Sequence, residues 1–161
     1  MTDTQSVIFN MVKVLHVEDS DDYAATVKEM ISDIPGMGFE LCHVNSIADA
    51  ERAFSDNVFD VVLLDMNLPN GTGIEAVNKV LAFSGETPIV IMSGHDDEEM
   101  ARKSVKNGVQ DYLVKSDLNP RGFKRAISHA LYRTLSRKRI QDERERVKMR
   151  VIRHLEAVGK T

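Results

Sequence analysis

The sequence predicts a doubly wound α/β domain carrying an extended C-terminal helix. Three observations carry that expectation: five short apolar segments rich in Val, Ile and Leu, stretches of helical spacing between them, and a charged C-terminal stretch. Alternation of strand-like and helix-like segments implies βαβ crossovers, and hence a parallel sheet with helices on both faces.

The apolar segments are residues 12–17, 39–44, 61–64, 89–92 and 109–114. They are near-continuous rather than alternating, as suits strands covered on both faces. After the first, Tyr23, Val27, Met30, Ile31 and Ile34 recur at helical intervals. Ser20 is the expected N-cap of that helix, and Pro35-Gly36 its stop. Further helices are expected over about residues 47–54, 74–83 and 97–106, the last closed by Asn107-Gly108. Asp96 to Glu99 would form an acidic helix start, favourable to the helix dipole.

Pro120 and Gly122 open a final helical segment running to about Val158. At 1.5 Å per residue it would span roughly 57 Å, too long for one crossover helix on so small a domain. Its first part has an apolar stripe of Phe123, Ala126, Ile127, Ala130 and Leu131. Residues 133–146 are mostly charged, and apolar residues return at Val147, Val151, Leu155 and Val158. The first part is expected to pack on the sheet and the rest to project. Residues 1–10 then form an N-terminal extension, 11–132 the globular domain and 133–161 a helical extension. The extension would be a coiled coil or a linker to an output domain.

Composition narrows the function classes. The chain has 161 residues and a formal net charge of −4. Residues 1–120 hold eight Lys+Arg against 21 Asp+Glu, a net −13, and residues 121–161 hold 13 against four, a net +9. An acidic globular part therefore carries a basic tail. No apolar run approaches the roughly 18 residues of a membrane span, and the N-terminus lacks the pattern of a secretory signal. Cys42 is the single cysteine; it excludes an internal disulfide, fits a cytoplasmic setting and reads as a small core hydrophobe. His16, His43, His129 and His154 show no metal-ligand spacing and read as structural.

Open parallel sheets bind ligands outside the carboxyl ends of their strands. The residues expected there are Glu18 and Asp19 after the first strand, Asp65 after the third, Ser93 and Gly94 after the fourth, and Lys115 after the fifth. Clustered carboxylates repel one another, and a hard divalent cation with oxygen ligands offsets that. A lysine and a hydroxyl beside them suit the equatorial oxygens of a phosphoryl group, and a carboxylate can itself be the nucleophile. The pattern favours an aspartyl-phosphate site.

Four blocks carry a family resemblance: HVEDSDD at residues 16–22, VVLLDMNLPNGTGIE at 61–75, PIVIMSG at 88–94 and DYLVKS at 111–116. In that order and spacing they resemble the signature blocks of response-regulator receiver domains, and the likeness covers about residues 11–132. The resemblance implies a flavodoxin-like receiver fold with a five-stranded parallel sheet of order 2-1-3-4-5. It implies Asp65 as phosphoacceptor and Mg²⁺ held by Glu18, Asp19, Asp65 and the backbone carbonyl of Asn67. Ser93 and Lys115 would contact the phosphoryl group, and Ser93 and Tyr112 would form a switch. Asn67 and His95 match positions that modulate dephosphorylation. Ser116 stands where the family usually has proline after a cis bond.

The implied function is phosphoacceptor of a two-component phosphorelay. A sensor histidine kinase or histidine phosphotransfer protein would be the donor, and the face of the fourth helix, fifth strand and last helix would carry the output. No catalytic motif is visible after residue 120, so the chain is not expected to be an enzyme in its own right. The alternatives are a regulatory fragment of a larger signalling enzyme, or a nucleic-acid-binding regulator acting through the basic helix. No helix-turn-helix follows that helix, which argues against nucleic acid. Ile140, Val147, Val151, Leu155 and Val158 fall at intervals of seven, four, four and three, a coiled-coil-like seam interrupted by Arg144. A homodimer through this helix is therefore expected.

Overall fold

The computed structural model describes residues 11–69, 71–106 and 109–159; for residues 71, 72, 95 and 106 it describes the backbone. Strands β1 (Val12–Val17), β2 (Phe39–Val44), β3 (Val61–Asp65), β4 (Ile89–Ser93) and β5 (Asp111–Val114) form one parallel sheet. Helices α1 (Asp21–Ser32), α2 (Ile47–Asp56), α3 (Gly73–Ser84) and α4 (Glu98–Lys106) connect them, and α5 (Pro120–Gly159) follows. The strand order is β2-β1-β3-β4-β5, the doubly wound order expected.

Apolar continuity has the meaning it should for β1, β3 and β4, whose residues are buried apart from Lys13. It misleads for β2 and β5. These are the edge strands, and nearly all their side chains are half-buried, because each has a neighbour on one side alone. Cys42 on β2 is accordingly half-buried against the core rather than enclosed in it. The fifth strand starts at Asp111, two residues later than expected. The preceding Gln110 N–H still donates to the Ile89 carbonyl at 2.9 Å.

Two core layers flank the sheet. One gathers Val14, Leu63 and Val90 with Val27 and Ile31 of α1 and Phe123 and Ile127 of α5. The other gathers Leu15, Val62 and Ile91 with Ala50 of α2 and Val77 and Val80 of α3. Ser20 caps α1 by accepting from the Tyr23 N–H at 3.2 Å, and Ser46 caps α2 by accepting from Asp49 N–H at 3.1 Å. Gly36 follows α1 with φ of 78°, a left-handed conformation that glycine adopts without strain. The expected stop at Asn107-Gly108 and the N-terminal extension 1–10 lie outside the described residues.

The last helix is continuous for 40 residues, about 60 Å. Phe123, Ala126, Ile127 and Ala130 are its buried residues. From Arg137 to Gly159 every residue is exposed, so the basic stretch does not fold back on the acidic domain. None of the described helices is long and apolar enough to cross a membrane.

Candidate functional site

Parallel strands end on one edge of the sheet, and the chemistry-bearing residues lie where they end. β1 delivers Glu18 and Asp19, β3 ends on Asp65, β4 ends on Ser93, and Lys115 follows β5. Asp65 is the register partner of Met92, which precedes Ser93, and Ser93 in turn pairs with Val114, which precedes Lys115. Four crossover connections thus bring residues 97 positions apart to 2.9 Å.

Oxygen atoms of Glu18, Asp19 and Asp65 lie within 4.8 Å of one another. Glu18 and Asp65 are buried and Asp19 is exposed, so the cluster opens to solvent on one side. The Lys115 ammonium donates to Glu18 Oε2 at 2.9 Å and lies 3.1 Å from Asp65 Oδ1. Glu18 Oε1 accepts from the Ser20 N–H at 3.1 Å, and Asp65 Oδ1 from the Asn67 N–H at 3.2 Å. Burial pushes the Glu18 carboxyl above the usual range; Lys115 pulls it back and the Asp65 charge pushes it up again. Burial also works against the Lys115 ammonium, but the Glu18 and Asp65 carboxylates outweigh it and hold its pKa above the ordinary value.

Three carboxylates against one ammonium leave the ionised cluster two negative charges in excess, the charge a divalent cation neutralises. The donors are all oxygen, and one side is open, so a hard metal with retained waters fits them. Ser93 is fully buried, and its Oγ has no hydrogen-bond partner among the described residues. A buried hydroxyl without a partner costs free energy, and a ligand oxygen would relieve it.

The loop after β3 is tied down on its far side. Asn67 Nδ2 donates to Asp97 Oδ2 at 2.6 Å, linking a short ribbon of Asn67–Leu68 with Gly71–Thr72 to the 3₁₀ turn His95–Asp97. The His95 side chain lies outside what is described, so its expected influence has no geometry to stand on. Lys115 opens a second 3₁₀ turn, Lys115–Asp117, and the described residues contain no cis peptide. Tyr112 is half-buried on β5, in register with Ile91, packed on the α2–α3 layer and beside the Arg102 guanidinium of α4.

One residue at this edge escapes a sequence reading. Tyr23 belongs to the apolar stripe of α1, yet its ring faces Lys115, with Nζ 4.5 Å from the ring centroid. The available signal was an aromatic in the first turn after an acidic pair, which core packing explains equally well.

Comparison with known proteins bears on the family and the fold. The family model described as a response regulator receiver domain matches residues 14–127. The swarming motility regulation protein RssB of Serratia marcescens is 40% identical over 78 residues, 48% of this chain and 36% of that protein. A cyclic di-GMP phosphodiesterase of Thermotoga maritima is 34% identical over 118 residues, 73% of this chain and 30% of its own length. The chain therefore spans little more than a third of these relatives, or less. Among solved structures, the receiver domain of a sensor histidine kinase from Pseudomonas aeruginosa holds a magnesium ion in its active site cleft. It superposes with a TM-score of 0.62 at 21% identity, covering 74% of this chain and 97% of that one.

Proposed function

The chain belongs to the response regulator receiver domain family, and from that premise we propose that Asp65 accepts a phosphoryl group from a phosphohistidine donor. The observation that carries the reading is the Lys115 ammonium shared between Glu18 and Asp65, beside three carboxylates whose oxygens lie within 4.8 Å. Asp65 is the nucleophile because it ends the central strand with one oxygen against Lys115, where an acyl phosphate would be neutralised. Glu18, Asp19 and Asp65, with the Asn67 carbonyl, would hold Mg²⁺, which lowers the charge between donor phosphate and carboxylate. Lys115 pairs with one equatorial oxygen and the unpartnered Ser93 hydroxyl donates to another. Moving the hydroxyl toward the phosphoryl group frees space beside β4, and the Tyr112 ring is the side chain that takes it up. The face of α4, β5 and α5 then reports the phosphorylation. Asn67, held by Asp97, and His95 are the positions that would set how long the phosphoryl group lasts.

The donor is a sensor histidine kinase or a histidine phosphotransfer protein, which assigns the chain to the cytoplasm. The domain is residues 11–132 and the extension 133–161. The extension joins two copies into a homodimer and leads to an output. The short coverage of relatives, a phosphodiesterase among them, favours a receiver module working within or beside a larger signalling protein.

The direct test is intact mass after incubation with acetyl phosphate and Mg²⁺, on the full chain and on Asp65→Asn. The expected result is one phosphoryl group on the wild type and none on the variant. Equal phosphorylation of both would overturn the assignment.

A further inference from the structure

Lys115 sits on a flexible four-carbon stem, and its side chain keeps a quarter of its surface in water, so it has a route out of the site. In the metal-free arrangement it is held by Glu18 and Asp65. Those two carboxylates are also the groups a cation and a phosphoryl group would claim. A ligand that occupies them weakens the hold on the ammonium when that ammonium is needed. Until a phosphoryl oxygen pairs with it, a contact that does not compete for the metal would keep Lys115 in place.

Tyr23 meets that requirement. Its backbone is anchored by the Ser20 cap. Its ring packs on the layer of Val27, Ile31, Phe123 and Ile127 and turns its face to Lys115 Nζ, 4.5 Å from the centroid. A ring face attracts an ammonium through its quadrupole and offers no oxygen to a metal there. The hydroxyl is buried without a partner among the described residues. Burial and the charges of Glu18 and Asp65 push the phenol up to about 12, so it stays neutral.

We propose that Tyr23 is a positioning residue of the phosphoryl site: its ring holds the Lys115 ammonium over Asp65 by a cation–π contact that survives occupation of Glu18 and Asp65. The inference rests on Asp65 being the phosphoacceptor. The ring does the work and the hydroxyl is dispensable.

The test uses the full chain and beryllofluoride with Mg²⁺ as the probe, titrated by NMR, with Mg²⁺ alone titrated in parallel. Tyr23→Phe should bind beryllofluoride within about twofold of wild type. Tyr23→Leu should bind it about fivefold to thirtyfold more weakly, the range of a partly desolvated cation–π contact. Mg²⁺ affinity should stay within about twofold in both, because neither change removes a ligand oxygen. Should Tyr23→Leu fail to fold, Tyr23→Met fills the volume without a ring face and is expected to show the same split. Equal beryllofluoride affinity in the Phe and Leu variants overturns the proposal. So does a parallel loss of Mg²⁺ and beryllofluoride, which marks general damage, or a Phe variant as weak as Leu. A wild type that binds Mg²⁺ but not beryllofluoride overturns the phosphoacceptor reading, and this proposal with it.

Discussion

His16 shows how one buried side chain couples this site to acid. It is fully enclosed on β1, neither ring nitrogen has a hydrogen-bond partner among the described residues, and His43 lies 5.9 Å away. Burial, then His43, then Lys115 lower its pKa to about 3 from an ordinary 6.5. A group with a lowered folded pKa contributes stability that is present above its unfolded value and lost as pH falls toward the folded one. His16 therefore costs the fold about 1.4 kcal/mol for each pH unit below 6.5. In metal-free buffer, the urea-derived stability of wild type relative to His16→Leu should fall by about that slope between pH 6 and pH 4. Parallel pH profiles would show that His16 does not titrate with unfolding.

At the scale of elements, the joints around β3 and α4 are the sensitive ones. Gly73 starts α3 with φ of 62°, and a Cβ there would run into the Met100 sulfur of α4. Gly73→Ala is expected to lose about 1–2 kcal/mol, from left-handed strain plus displacement of Met100, read as a lowered denaturation midpoint. Met100 is 43% exposed and can move, which keeps the cost from being larger. The proposed switch of Ser93 and Tyr112 is the second. Ser93→Ala should still be phosphorylated at Asp65, yet show smaller chemical-shift changes across α4, β5 and α5 than wild type. Full-size changes in the variant would break the proposed coupling between hydroxyl and ring.

For the whole molecule the question is what covers the end of α5. Ile140, Val147, Val151, Leu155 and Val158 are each about half exposed or more. Ile140 and Val151 are 11 residues apart, as are Val147 and Val158, and Arg144 and Leu155. The same stripe also holds the seven-residue spacings Ile140–Val147 and Val151–Val158, so it mixes the heptad spacing of a left-handed coiled coil with an 11-residue spacing that stays on one face of a nearly straight helix. In the proposed dimer Arg144 would face its copy and weaken the near half of the seam, and the surplus of positive charge would make pairing tighter at high salt. Light scattering at tens of micromolar should give a dimer for the full chain and a monomer for a version ending at Ser136. Two monomers, phosphorylated or not, would remove the extension as the dimer interface.

Much of this is legible in the sequence, for local reasons. Val61 to Leu64 read as a buried strand because a continuous apolar run tolerates no wet face. Ser20 read as a cap because a hydroxyl there satisfies an otherwise unpaired N–H. Glu18, Asp19, Asp65, Ser93 and Lys115 were candidates because parallel strands all end on one edge, so position after a strand already implies neighbourhood. The reach of α5 followed from a rise per residue. What the sequence could not contain is anything set by the distance between elements remote in the chain. The edge places of β2 and β5 follow from the expected strand order, but how far their side chains are covered depends on how the helices pack over them. The sharing of Lys115 between Glu18 and Asp65, the Asn67 bond to Asp97 and the Met100 sulfur over Gly73 depend on how crossovers pack. Tyr23 is the plainest case. Helical periodicity assigns it to a face, but one face of α1 borders both the core and the site, and only packing decides which of them each side chain meets.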